Sequence, residues 1–446
     1  MNNPAQQPIL RVRKPEYDSY GIKGNPFPIA GLSSVHAPYP LIDGKMDDEV
    51  HEFVSQTLQS EEYCGMAILG EFGSGKTYAL RYIETLLETI QQQPDAEEVM
   101  AIYVERPRAT VQALVSDIAE RIGRVRICNI LLEIVLTDLA AILHSEDPKH
   151  VNRIASAKKA FKRENPADLF RNEDPFSALT ATDAILNPAG TIDALRAGGT
   201  KPQFLSEFAT ESIATLLSPS PRRLQELAGH FADMILCDDT NSAHLWNCFL
   251  SGKLMQKEKV VAEISGQQIW CAVRHVLNRA GYRMIYVLID ELEESEYQNT
   301  KQNILRGFLA DLRDLIDSNL NGFALVVASK VGAWDVYKGV NPAFPQRFSR
   351  VVHLPPNSFS DLKRMISERL RLVRKENWEG SEIAPFTDAA IKRLEKESKG
   401  NTRVAVQACH ILLWHVANLR EQTITDHMVA TLNEISRAFY ASRSGL

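Results

Sequence analysis

The chain has 446 residues, a net charge of −6 and a pI near 6. That length exceeds the usual size of one compact core and predicts two or three domains, while the acidic balance argues against a protein that coats nucleic acid by bulk electrostatics. Six cysteines without C-x-x-C spacing point to reduced thiols and a cytoplasmic location. No signal-peptide pattern opens the chain, and its longest apolar stretch, 130–143, is broken by Glu133 and Asp138 and too short to span a bilayer.

In chain order, residues 1–40 are polar and Pro-rich, with Asn25-Pro26-Phe27-Pro28 and Tyr39-Pro40, and read as an extended arm. Gly65-Met66-Ala67-Ile68-Leu69 is a short apolar run of the kind that forms a strand buried on both faces. Gly70-Glu71-Phe72-Gly73-Ser74-Gly75-Lys76-Thr77 follows and fits the phosphate-loop pattern G-x-x-x-x-G-K-[ST]. Ala79, Ile83, Leu86, Leu87 and Ile90 then recur at helical spacing. Glycines let the backbone curl so that several N–H groups meet one anion, and the helix adds its positive dipole end. In such a loop Lys76 reaches the β- and γ-phosphates and Thr77 reaches Mg²⁺.

A second strand is predicted at Ala101-Ile102-Tyr103-Val104-Glu105. Residues 108–283 then separate it from the next core strand, far more than a crossover requires. Segments 111–122, 130–143, 151–163 and 224–236 carry helical patterns, whereas 166–203 and Ser218-Pro219-Ser220-Pro221 are rich in turn residues, so the segment reads as a helical insertion. Its basic stripe through Lys149, Arg153, Lys158, Lys159, Lys162 and Arg163 could hold nucleic-acid phosphates or form a solvated face. Cys237, His244, Cys248, Cys271 and His275 match no common zinc module.

Met284-Ile285-Tyr286-Val287-Leu288-Ile289 predicts a central strand, with Asp290 at its carboxyl end to hold Mg²⁺ and Glu291 one residue further to orient water. Another strand at 323–328 ends in Ser329, whose hydroxyl is placed for a γ-phosphate or water. Arg347 and Arg350 precede a short apolar strand at 351–354, where a guanidinium can serve a neighbouring subunit's γ-phosphate. The chain closes with three predicted helices. They open at Phe386-Thr387-Asp388, at Gly400-Asn401-Thr402-Arg403, and at Ile424-Thr425-Asp426. An earlier helix in this region carries Lys363, Arg364, Arg369, Arg371, Arg374 and Lys375, a further basic candidate for nucleic acid.

With these motifs in this order the chain resembles the AAA+ ATPases, within them the initiator-like group that includes origin-recognition ATPases and transposon target-selection regulators. The resemblance implies an α/β fold with a five-stranded parallel sheet flanked by helices, a helical insertion and a C-terminal helical lid. It implies ATP and Mg²⁺ as cofactors, with Gly70 to Thr77 as Walker A, Asp290 and Glu291 as Walker B, Ser329 as sensor 1, Arg347 as arginine finger and Arg403 as sensor 2. The domain division expected is an arm at 1–40, core at 41–107, insertion at 108–283, core at 284–356 and lid at 357–446. Two departures stand out. Glu105 occupies the place of an asparagine that usually restrains the Walker B glutamate, and no winged-helix domain follows the lid.

The expectation is an ATP hydrolase whose nucleotide state controls a homo-oligomer and a protein effector, without membrane contact. Two alternatives are an ATP-gated scaffold with little turnover, for which Glu105 speaks, and a DNA-transaction ATPase of a mobile element or antiviral defence system.

Overall fold

The computed structural model describes residues 16–28, 44–60, 62–92, 99–143, 202–217, 222–256, 259–293, 302–318 and 321–444. The basic stripe at 149–163 and the turn-rich segments 166–201 and 218–221 lie outside them.

Five strands form the central sheet: β1 (Cys64–Leu69), β2 (Val99–Glu105), β5 (Met284–Asp290), β6 (Phe323–Ser329) and β7 (Arg350–His353). Their order is β2-β5-β6-β1-β7, every pairing is parallel, and the fold is α/β as expected. Every residue of β1, β5 and β6 is buried, the condition that unbroken Val/Ile/Leu runs encode. Alternate residues serve opposite faces. Met66, Ile68, Tyr286, Leu288 and Val326 pack under α1 (Gly44–Ser60) and α2 (Lys76–Gln91). Ala67, Leu69, Ile285, Val287 and Val327 face the other way.

That second face is covered by the inserted segment. Its helices are α3 (Val111–Ile122), α4 (Arg124–Leu143), α5 (Pro202–Leu217), α6 (Arg222–Leu236), α7 (Asp239–Leu250) and α8 (Gly266–Arg279). Leu131, Phe231 and Trp270 from these helices belong to the same apolar cluster as the sheet residues. The insertion therefore shares a core with the sheet it covers. It is also not purely helical: β3 (Lys253–Gln256) and β4 (Lys259–Glu263) form an antiparallel hairpin with a bulge at Leu254/Met255. Short β-branched stretches such as Val260-Val261 favour extended backbone where a neighbour supplies the ladder.

After β5 come α9 (Gln302–Asp317), and after β6 α10 (Val331–Val340), a 3₁₀ turn at Pro345–Arg347 and β7, which begins one residue earlier than the apolar run suggests. The lid contains α11 (Phe359–Val373), α12 (Asp388–Ser398), α13 (Thr402–Leu419), α14 (Asp426–Ala430) and α15 (Leu432–Ser444), around an apolar cluster of its own. Thr387 caps α12 by accepting from Ala390 N at 3.2 Å, as its sequence position predicts. The last predicted helix is two helices, interrupted at Thr431, whose hydroxyl donates to His427 O and Met428 O. Residues 16–28 are not a free arm. Tyr20, Ile22 and Phe27 are buried in the lid cluster, and Phe27 meets Phe386 edge to face.

Candidate nucleotide site

Parallel strands bring their carboxyl ends to one edge, which is where ligands bind in open α/β sheets. At that edge lie the phosphate loop after β1, Asp290 at the end of β5 and Ser329 at the end of β6. Gly70 N donates to Ser329 O at 3.1 Å, tying the loop to β6. A Cβ on Gly70 would meet Ser74 Oγ at 2.4 Å, so the loop curls back closely on this position and Ser74 would have to turn aside for a larger residue. Gly73 and Gly75 hold φ values of +76° and +104°, and α2 begins at Lys76 with no side chain capping its amides. Uncapped helix-start N–H groups are a ready anion site.

Lys76 is buried, and its Nζ donates to Gly70 O at 2.8 Å and to Glu71 O at 3.1 Å. Burial pushes the lysine pKa below its ordinary value, with Glu293 and then Asp290 opposing that shift. The ammonium thus has carbonyl partners in the loop that it can exchange for phosphate oxygens. The hydroxyls of Ser74 and Ser329 are buried with no hydrogen-bond partner among the described residues. Such orphaned groups are costly unless a ligand or water satisfies them. Thr77 and Asp290 offer hydroxyl and carboxylate oxygens, the hard donors Mg²⁺ prefers.

Asp290 is 2% exposed. Its Oδ1 accepts from Glu291 N at 2.9 Å and its Oδ2 accepts from the Tyr103 hydroxyl at 2.8 Å. Burial and the adjacent Asp290 push the Tyr103 phenol well above its usual pKa, so it stays an O–H donor. Glu291 is held elsewhere, with Arg106 Nε donating to its Oε2 at 2.6 Å. The strand register explains the meeting. Glu105 pairs with Asp290, so the residues immediately after each strand lie side by side. The residue that engages Glu291 is thus Arg106, while Glu105 has an exposed side chain.

Glu293 belongs to no motif, yet it is buried, accepts from Lys330 N at 3.3 Å and lies 3.9 Å from Lys330 Nζ. It joins the turn after β5 to the end of β6, beside Lys76. The lid reaches the same edge. Asn401 Nδ2 donates to Phe72 O at 2.7 Å, Thr402 N donates to Gly73 O at 3.0 Å, and the Arg403 guanidinium lies 5.0 Å from the Phe72 ring centroid. Phe72 itself is 59% exposed. Asn401 opens α13 as its place in the sequence predicts, accepting from Val404 N at 3.1 Å. Its second bond, across 329 residues, has no local signature.

Two expected site residues are not at this edge. Arg347 donates in a two-bond fork to Asp317, Nε at 2.6 Å and a terminal nitrogen at 3.0 Å. Its carbonyl lies beside Gly65 at the amino end of β1, about 16 Å along the strand from Gly70 at 3.3 Å per residue. Arg350 is bound to Glu49, Glu52 and Gln56 on α1, which gives it a structural place. In the lid, Lys363 pairs with Asp388, Arg371 with Glu368 and Lys375 with Asp18. Arg374 donates to the carbonyls of Tyr20, Ser381, Glu382 and Ala384. The basic lid helix is thus largely engaged within the protein. Cys248 lies near His244 and Cys271 near His275, but no cluster of three or more metal-binding side chains occurs among the described residues.

No family model and no curated protein sequence matches this chain. Solved structures with a similar fold include ORC1 from Aeropyrum pernix in complex with DNA, at 11% identity and a TM-score of 0.45, covering 91% of this chain and 68% of that one. ORC2 from Aeropyrum pernix in its ADP form gives 12% identity and a TM-score of 0.42 over 91% and 71%. Drosophila ORC bound to DNA gives 13% and 0.42 over 97% and 70%. The structural neighbours of this chain include ORC and Cdc6 proteins and, over 44% of its length, RuvB from Thermotoga maritima. At these identities and TM-scores the likeness carries no inference about chemistry, which rests on the site's own residues.

Proposed function

We propose that this chain binds ATP with Mg²⁺ and hydrolyses it, using nucleotide state to control assembly with further copies and with a protein effector. The observation that carries the reading is the meeting, at one sheet edge, of the glycine loop, buried Lys76, Asp290 and the unpartnered Ser329 hydroxyl. In this reading the loop amides and Lys76 hold the phosphates, Thr77 and Asp290 hold Mg²⁺, and Glu291 orients and deprotonates water once it leaves Arg106. Bound Mg²⁺ supplies neutralisation of charge on the β- and γ-phosphates. Ser329 and Arg403 act on the γ-phosphate, from the sheet and the lid respectively. Arg347 lies too far from its own phosphate loop to serve it, which supports a role at a neighbouring copy's site.

The test is a pair of variants. Lys76→Ala should abolish ATP-analogue binding, while Glu291→Gln should bind normally and lose turnover by about 10²- to 10⁴-fold, the usual worth of a general base. Equal turnover in wild type and Glu291→Gln overturns the catalytic assignment. Mixing Glu291→Gln with Arg347→Ala subunits should restore part of the activity if the finger acts in trans.

One observation favours a second reading, the ATP-gated scaffold: the catalytic glutamate is engaged by Arg106. Oligomer size with ATP, with ADP and without nucleotide, measured beside turnover, separates the two. A stable ATP assembly with negligible turnover favours the scaffold.

A further inference from the structure

Tyr103 lies on β2 and is 5% exposed. A phenylalanine would fill the same space, and burying a hydroxyl carries a desolvation cost unless it is bonded. Its hydroxyl finds one described partner, Oδ2 of Asp290, on the adjacent strand two residues beyond its own register partner Leu288. The ring is fixed from the other side. The Arg81 guanidinium carbon stands 3.4 Å from the ring centroid, and Arg81 is itself held by Glu84 at 2.6 Å. Arg81 belongs to α2, the helix that the phosphate loop opens. Three elements, α2, β2 and β5, therefore converge on the orientation of one carboxylate.

We infer that Tyr103 is a positioning residue for the cation, fixing the Asp290 carboxylate while Arg81 fixes Tyr103. This rests on the ATP·Mg²⁺ reading above. With Oδ1 engaged by Glu291 N and Oδ2 by Tyr103, rotation of the carboxylate would break two bonds. Its remaining lone pairs keep a fixed direction. Groups that orient metal ligands in this way typically change metal affinity by about 10- to 100-fold when removed.

The experiment titrates Mg²⁺ into the full chain with a fluorescent, slowly hydrolysed ATP analogue, alongside binding in EDTA. Tyr103→Phe should raise the Mg²⁺ concentration for half-maximal binding about 10-fold and leave the affinity in EDTA within twofold of wild type. In an Asp290→Asn background, Tyr103→Phe should have no further effect on the Mg²⁺ midpoint, an outcome that a packing role does not produce. Arg81→Gln, which loosens the ring without altering the core, should move the midpoint in the same direction by a smaller factor. It gives the reading if Tyr103→Phe lowers thermal stability. An unchanged midpoint, or equal weakening with and without Mg²⁺, overturns the inference and leaves the nucleotide reading intact. Wild-type binding that ignores Mg²⁺ overturns both.

Discussion

Arg106 and Glu291 face each other across the ends of two paired strands, joined by a 2.6 Å bond from Nε to Oε2. Each sits at positive φ, +54° and +50°, a conformation uncommon outside glycine and worth attention when it recurs at a site. The turn leaving each strand thus directs its side chain to the other, and the candidate catalytic carboxylate is engaged by Arg106.

Releasing that carboxylate should quicken the chemistry. Arg106 is 63% exposed, so solvent screening limits the bond to about 1 kcal/mol. Arg106→Ala is expected to raise basal ATP turnover by about fivefold with nucleotide affinity within twofold of wild type. Steady-state phosphate release checks this, and a fall in rate would give Arg106 a different role.

The lid contact gives a second expectation. Asn401→Ala removes both the cap of α13 and the bond to Phe72 O, a loss of about 1 kcal/mol from the cap alone. The melting temperature should fall by roughly 2 °C, and the Thr402 amide, which donates to Gly73 O, should exchange hydrogen faster. Gly73→Ala should act similarly, because its Cβ would come within 2.2 Å of Asn401 Oδ1. Gly75→Ala meets nothing within 4 Å and strains only the backbone, at φ +104°, so it should leave Thr402 exchange unchanged.

Arg347 and Asp317 make a half-exposed pair, and the arginine holds the Asp317 carboxyl below its ordinary range. Asp317→Asn should cost under about 1 kcal/mol of stability. Arg347→Ala should cut turnover by about 10³-fold or more if the guanidinium serves a neighbouring phosphate, with ATP-analogue binding retained. A rate that does not depend on protein concentration would count against action between copies.

His230 predicts an acid limb in stability. It is fully buried, Met255 N donates to Nδ1 at 2.9 Å, and Nε2 meets Leu245 O at 3.1 Å, an arrangement that suits the neutral ring. Burial holds its pKa below the ordinary 6.5, against the opposing pull of the backbone bonds. Unfolding frees the ring to take up a proton, so its contribution is complete above pH 6.5 and is lost as pH falls below it. The slope reaches at most about 1.4 kcal/mol per pH unit. Chemical denaturation from about pH 7.5 to 5 should show a flatter profile for His230→Asn than for wild type, despite a lower overall stability. An equally steep profile would place the acid sensitivity elsewhere.

Sequence and structure agree best where one physical cause dominates. The strands β1, β5 and β6 are buried on both faces, so their apolar runs locate them to within a residue, and the phosphate loop announces its own glycines. Residues whose role depends on geometry beyond their own element were harder to read. A tyrosine in an apolar strand reads as core, and only the register of β2 against β5 takes Tyr103 to Asp290. Glu105 stood at the expected restraining position, but the backbone turns left-handed at the next residue and presents Arg106 instead. Asp317 closes α9 with no motif of its own, and only the tertiary fold brings Arg347 to it. The segment 16–28 carries too few apolar residues to show that it has a partner, which the lid supplies from far along the chain, as Phe386 does for Phe27.

The bonds from Asn401 and Thr402 to the phosphate loop also order events in time. On a ribosome adding about 5 to 20 residues per second, the 329 positions between Phe72 and Asn401 separate the emergence of the loop from that of the residues that brace it by about 16 to 66 seconds. During that interval the chain carries a complete phosphate-loop motif without its lid. On the nucleotide reading proposed above, tight capture is thereby deferred to chains whose C-terminal helices have been made and docked.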